Sequence, residues 1–317
     1  MESTQANSDV DISVIVPVYN SGEDICITLD SLISQDFDKS KYEVVIVDNG
    51  STDDTPEIVQ DYCEKYPDLV KLFFQSEIQS SYAARNVGIS HAKGEILAFV
   101  DADMWMDTSW LNLVVREMQT REVDYMGCRV SIQNIKANDG LAALYNQVVG
   151  FPIEQNIANQ HFTPTCCLVA RKALFEKIGT FDEFLISGGD FELGNRAFRQ
   201  GINLHYADHI VTYHPARATL KSLRKKYFRI GRGLYQIIQR YPDLAPHERN
   251  SLFRRFLPPN PVSFLKKSKV RSKARQIELT EAEFWRLYFI DLYVKWARSV
   301  GYTSEQFFGV SPSIEVD

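Results

Sequence analysis

Four apolar runs constrain the fold more than anything else in the chain: ISVIVPV (12–18), YEVVIVD (42–48), LVKLFF (69–74) and GEILAFV (94–100). The first two are dominated by Val and Ile, with no alternation of polar and apolar positions. A strand of that kind needs cover on both faces, which a parallel sheet between helices provides. Helical stretches separate the runs. Glu23 to Ser34 carries Ile25, Leu29, Leu32 and Ile33 on one side, and Ser81 to Ala92 is the last of the set. Between them NGSTDDTP leads into a helix capped by Asp54 or Thr55, with Pro56 at its first position. Strand and helix alternating at this spacing predict βαβ units and an α/β fold with a mixed, mostly parallel central sheet.

Beyond residue 108 the pattern loosens. Trp110 to Thr120 is expected to be a helix and Cys128 to Ile135 a strand, with residues 136–165 irregular and partly helical. Residues 168–183 read as strand, helix and turn, 188–201 as a turn into a helix, and 209–216 as a strand. The expected organisation is therefore a polar disordered lead (1–10), an α/β domain (11–216, halves 11–107 and 108–216) and a helical extension (217–317). Within the extension, helices break around LPPNP (257–261). The segment 281–300 places Trp285, Tyr288, Phe289, Leu292 and Trp296 along one side. Its six charged residues rule out a membrane span. The side is read as docked on the domain, with an interfacial membrane helix as the alternative.

Charge bears on partners. Residues 217–275 hold 17 Lys and Arg against Asp243 and Glu248, while the rest of the chain holds 18 basic and 39 acidic residues. Such a segment suits an anionic partner, a phosphate or an anionic membrane surface, or else it is a solvated basic helix. Nothing points to nucleic acid. The five cysteines are odd in number and form no CxxC pair, so a disulfide framework or zinc cluster is not expected. A reducing, cytoplasmic setting fits, with peripheral attachment to the inner face of a membrane. The start, MESTQANSDVD, is not a signal peptide, and no apolar run approaches the roughly 20 residues of a membrane helix.

The fourth run ends in Asp101-Ala102-Asp103. Side chains two apart on extended backbone point the same way, so both carboxylates can converge at the carboxyl edge of a sheet, where α/β folds bind ligands. Two such anions call for a cation, and oxygen donors suit Mg²⁺ or Mn²⁺. Asp-x-Asp alone is also a common strand end and helix cap.

ISVIVPVYNSGEDICITLDSLISQ, VIVDNGSTDDT and ARNVGISHAKGEILAFVDADM resemble, in order and spacing, the N-terminal half of family-2 glycosyltransferases. VARKALFEKIGTFDE and SGGDFELGNRAFRQG extend the resemblance to about residue 215. It implies a GT-A (Rossmann-like) fold, a nucleotide-diphosphate sugar donor, a divalent metal and inverting transfer to a hydroxyl of a glycan, lipid or small molecule. By the same resemblance Pro17, Val18, Tyr19, Asp48 and Asn49 face the nucleotide. Asn49 stands where a second Asp is commoner, which leaves a UDP- or GDP-type donor open. Arg85 falls near the diphosphate, where a guanidinium gives bidentate hydrogen bonds. Asp101, Ala102 and Asp103 match the metal-binding motif, Asp103 as the direct ligand.

Gly189-Asp190 matches the family's Glu-Asp with the Glu lost, which puts the general base on Asp190. A carboxylate within reach of the acceptor hydroxyl can take its proton. The bland reading of Asp190 is a helix N-cap. Glu192 is a candidate acceptor contact. His214, ending HIVTYH, is a candidate third metal ligand. Arg217, Arg229 and Arg232 are candidates for closing over phosphates, of the donor or of lipid. A sugar-phosphate nucleotidyltransferase would need a glycine-rich basic loop at VPVYNSGEDI, and a dehydrogenase would need GxGxxG there. A non-catalytic sugar-nucleotide-binding module is the remaining alternative.

Overall fold

The computed structural model describes residues 10–134, 140–245 and 255–309. The expected disordered lead, up to residue 9, and residues 246–254 of the basic segment lie outside the described residues. One eight-stranded sheet organises the chain, in the order β3-β2-β1-β4-β7-β6-β8-β5. The strands are β1 (Ile12–Val18), β2 (Tyr42–Asp48), β3 (Val70–Phe74), β4 (Ile96–Phe99), β5 (Trp105–Met106), β6 (Tyr125–Gln133), β7 (Leu168–Arg171) and β8 (Leu204–Pro215). Pairing is parallel from β3 through β2 and β1 to β4, and again between β6 and β8; β7 runs antiparallel to both β4 and β6, and β5 to β8.

The continuous apolar runs are explained by where successive side chains go. Val14, Val16, Val44 and Ile46 enter one core, while Ile15, Val45 and Val47 enter a second on the opposite face. The covering helices are α1 (Ile25–Ile33), α2 (Thr55–Lys65), α3 (Ser81–His91), α4 (Trp110–Thr120), α5 (Leu141–Val149), α6 (Ile153–Gln160), α7 (Lys172–Ile178) and α8 (Gly189–Arg199). The chain leaves β1 toward β2 and β3, then returns to β4 on the other side of β1. That reversal opens a crevice beyond the carboxyl ends of β1 and β4, the usual ligand position in such sheets.

Three local expectations change. β6 begins at Tyr125 and ends at Gln133, and β8 begins at Leu204, because the two strands lengthen by pairing with each other. β5 was not anticipated, since Trp105 and Met106 become a strand only by pairing with Tyr213 and Thr212. The N-cap of α8 is Gly188 at φ 90°, not Asp190, which lies inside the first turn. A left-handed residue there favours glycine.

The extension is helical as expected: α9 (Leu220–Arg240), α10 (Pro261–Ala274) and α11 (Glu281–Phe308). α11 docks on the protein, and of the side expected to dock Tyr288 turns inward while Trp285, Phe289 and Trp296 do not. Its inward positions include Phe284, Leu287, Tyr288, Ile290 and Val294, whereas Trp285, Phe289 and Trp296 face outward. Both sides of this helix are apolar, so periodicity alone could not choose between them.

α9 and α11 touch backbone to backbone. A Cβ on Gly231 would overlap the Arg298 carbonyl, and one on Gly301 would overlap the Phe228 carbonyl. Gly231→Val should therefore cost about 3 kcal/mol through overpacking and lower the melting temperature by several degrees. A melting temperature equal to that of the parent in differential scanning fluorimetry would show that the helices are not pressed together.

Candidate active site

A cleft of about 1160 Å³ occupies the crevice, bounded by the ends of β1 and β4, α3, the start of α8, and α9. That space is ample for an extended ligand and a second molecule beside it. Pro17, Val18, Tyr19 and Asn49 line it on one side; Arg85, Asp101, Ala102, Asp103, Asp190 and His214 line the centre. Residues far apart in sequence are thus brought together as the motifs required. Asp48 closes the end of β2 below them, its Oδ2 accepting from the Gly50 and Ser51 amides at 3.0 Å.

Several buried polar atoms here lack a partner within the protein: Asp48 Oδ1, both amide atoms of Asn49, and Arg85 Nε. Buried donors and acceptors are ordinarily paired, because leaving one unmet costs about 1–3 kcal/mol. Asn49 and Arg85 line the cleft and Asp48 adjoins Asn49, so this wall holds hydrogen-bonding capacity that the protein itself does not use. Arg85 also holds Asp101, with Nη2 to Oδ1 at 2.7 Å, and donates to the Ser81 carbonyl. Its fork is fixed in direction with donor capacity left over.

Asp103 and His214 face each other, with Oδ1 and Nε2 3.9 Å apart. His214 Nδ1 lies 2.7 Å from the Pro215 carbonyl, which can only accept, so Nδ1 carries the proton. In the neutral ring Nε2 then directs a lone pair toward a carboxylate beyond hydrogen-bond reach. Two acceptors so placed suit a cation between them, and an imidazole nitrogen with a carboxylate oxygen is a fitting donor pair for Mn²⁺ or Mg²⁺. Among the described residues no cluster of three such side chains forms a complete cage. Asp101, expected as a further ligand, is committed to Arg85. A cation sharing its remaining positions with phosphate and water needs no more than one or two protein carboxylates. Asp24, at the cleft rim, is a further acid that no motif singled out. Lost hydration pushes its carboxyl above the usual range, with the charges of Asp103 and Glu23 adding to the effect.

Asp190 enters from the far wall. Gly189 packs so closely on Tyr82 that a Cβ would sit 2.8 Å from the ring, and its N–H donates to the Tyr82 hydroxyl at 3.0 Å. Tyr82, three residues before Arg85 on the same face of α3, thus sets the loop that carries Asp190. Sequence motifs did not reveal it, although the i, i+3 spacing was there to read. Burial pushes the Asp190 carboxyl above its ordinary value. The Phe191 amide, Arg85 and Arg229 oppose that shift without cancelling it.

Glu192 and Arg232 fall elsewhere. Glu192, expected near the acceptor, is buried against Arg196 at 2.6 Å, and Arg196 ties it to the Ile178 and Thr180 carbonyls. Arg232, expected at phosphate, pairs with Glu305 at 2.7 Å and fastens α9 to α11. Arg217 and Arg229 do line the cleft, joined by Lys226, Arg271 and Arg298. Burial and the neighbouring Arg217 lower Lys226 to about 8. The extension is therefore part of the cleft wall, and a cationic part.

The family described as Glycosyl transferase family 2 matches residues 13–179. Glycosyltransferase AglE of Haloferax volcanii is 39% identical over 227 residues, covering 71% of this chain and 73% of that protein. Among solved structures, the mannosyltransferase PcManGT from Pyrobaculum calidifontis, in complex with GDP-Man and Mn²⁺, superposes with a TM-score of 0.62 at 20% identity, covering 94% of this chain and 87% of that one. S. aureus TarS 1–349 in complex with UDP-GlcNAc gives 0.54 at 20% identity, covering 94% and 92%. At such identities the two structures bear on the fold alone.

Proposed function

The chain belongs to glycosyl transferase family 2 and has the GT-A fold, and from that premise we propose that it is an inverting enzyme moving a sugar from a nucleotide-diphosphate donor to a hydroxyl acceptor. The observation that carries this reading is the set of unpaired buried polar atoms on Asn49 and Arg85, which line the same cleft as Asp101, Asp103, His214 and Asp190, and on Asp48 next to Asn49. In the proposal the base and ribose lie along Pro17 to Tyr19 and Asn49, whose amide offers one donor side and one acceptor side. The diphosphate lies against Arg85. Asp103 and His214 would hold a divalent ion, Mn²⁺ or Mg²⁺, which when bound supplies Lewis-acid neutralisation of the leaving diphosphate.

Asp190 acts from the opposite side. The acceptor oxygen forms its bond to the anomeric carbon as the bond to the diphosphate oxygen breaks. The bonding pair leaves with the nucleoside diphosphate, and the hydroxyl proton passes to the Asp190 carboxylate. One displacement of this kind inverts the anomeric centre. A carboxyl held above its usual range by burial is a stronger base once ionised, and Arg85 and Arg229 favour the ionised form.

A thermal-shift panel of UDP, GDP and their sugars with Mn²⁺ tests the donor reading. A ligand at a hundred times its dissociation constant stabilises by about 2.7 kcal/mol, so the matching nucleotide should raise the melting temperature by several degrees. No rise with any nucleotide diphosphate would overturn the proposal. PcManGT and TarS were solved with guanine and uracil nucleotides respectively, which makes those two bases the first to try.

A further inference from the structure

Seventeen large hydrophobic side chains are exposed among the described residues, and eleven of them lie in residues 255–309. On α11, Trp285 (45% exposed), Phe289 (63%), Tyr293 (37%), Trp296 (49%) and Val300 (49%) recur at three- and four-residue spacing, forming one outward stripe with no charged position in it. At 1.5 Å per residue it runs about 22 Å along the helix. The chain before α10 borders it: the Trp296 indole donates to the Phe256 carbonyl at 3.1 Å, and the Tyr288 hydroxyl donates to that of Pro259 at 2.9 Å. Exposed Phe256 and Leu257 thereby extend the apolar surface. α10, alongside through Phe264 against Tyr288, turns Lys266 and Lys273 outward, with Lys269 also exposed but paired to Glu281 at 2.6 Å.

We propose that this face is a docking surface for an anionic lipid bilayer, with the α11 stripe lying in the headgroup region and the α10 lysines meeting lipid phosphates. Apolar patches of this extent are uncommon on the surface of a soluble monomer. The composition favours a bilayer over a second protein. Trp, Tyr and Phe prefer the boundary between headgroups and acyl chains, and exposed lysine is depleted from protein interfaces but drawn to anionic membranes. No helix among the described residues is long and apolar enough to cross a membrane, so attachment would be in the plane. The face is separate from the donor residues, and its occupancy does not depend on which sugar is moved.

The test is co-sedimentation of the full chain with vesicles of phosphatidylcholine containing about a third phosphatidylglycerol. Binding should occur, weaken as salt is raised, and be absent with phosphatidylcholine alone. The Trp285→Ser/Phe289→Ser variant should lose about tenfold or more in partitioning, and Lys266→Glu/Lys273→Glu a similar amount. Both should keep the parent's melting temperature and nucleotide-induced shift, which separates failure here from failure of the donor reading. Three results would overturn the proposal: no sedimentation by the parent, equal sedimentation by the aromatic variant, or a dimer by light scattering that the aromatic variant abolishes while vesicles bind neither protein.

Discussion

Asp103→Ala should lower metal-stimulated sugar transfer by about a thousandfold, corresponding to the several kcal/mol a divalent ion contributes where charge builds on a leaving diphosphate. The geometry makes Asp103 a cleaner probe than Asp101. Asp101 is held by Arg85 at 2.7 Å, so its loss would release a buried guanidinium and disturb donor binding by another route. Asp103 faces His214 at 3.9 Å, with about a third of its side chain exposed, so the fold should survive its removal. With the carboxylate gone, His214 Nε2 loses the acid that faces it, and half-saturation by Mn²⁺ should move to much higher concentration. Removal of metal from the parent by chelation should reproduce the loss and re-addition should reverse it. An Asp103→Ala enzyme with the parent's rate and Mn²⁺ dependence would remove Asp103 from metal binding.

Much of this site was legible because its parts sit at the ends of strongly patterned elements. β1 and β2 announce themselves through unbroken Val and Ile, and Asp48 and Asp101 follow wherever those strands and β4 stop. Arg85 and Asp190 were reachable through their motif blocks. The cationic wall was not, since Lys226, Arg271 and Arg298 lie on three helices that meet the cleft only through long-range packing. Their sequence signal was a net excess of charge, which locates a segment but not a direction. Arg232 and Glu192 show the same limit: each is a charged residue in the right region that the fold spends on a partner, Glu305 and Arg196. α11 is the sharpest case. Its two apolar faces look alike in sequence, and the inward one is set by long-range contacts: the close backbone approach at Gly231 and Gly301, the Arg232–Glu305 pair and the core around Leu287.

Asp190→Asn should retain donor binding while transfer to the acceptor falls by about 10²–10⁴-fold, the usual contribution of a general base. The amide is nearly the same size, and its oxygen can keep the bond from the Phe191 amide that Asp190 Oδ1 accepts at 2.9 Å. The Gly189–Tyr82 contact does not involve the side chain, so the loop should hold its place. What the amide cannot do is take a proton. The predicted signature is thus a loss in kcat with an unchanged nucleotide-induced rise in melting temperature. The parent should also show a distinctive acid limb. A base must be ionised to act, and burial raises Asp190 above the ordinary carboxylate value, so activity should fail on acidification at a higher pH than an exposed aspartate would dictate. Asp190→Asn should abolish that limb in whatever rate remains, whereas a purely structural aspartate would leave the pH profile of the residual rate unchanged. Full transfer by the variant would assign the proton to another group. A parent that binds donor but transfers to none of the hydroxyl acceptors offered would favour the binding-module reading instead.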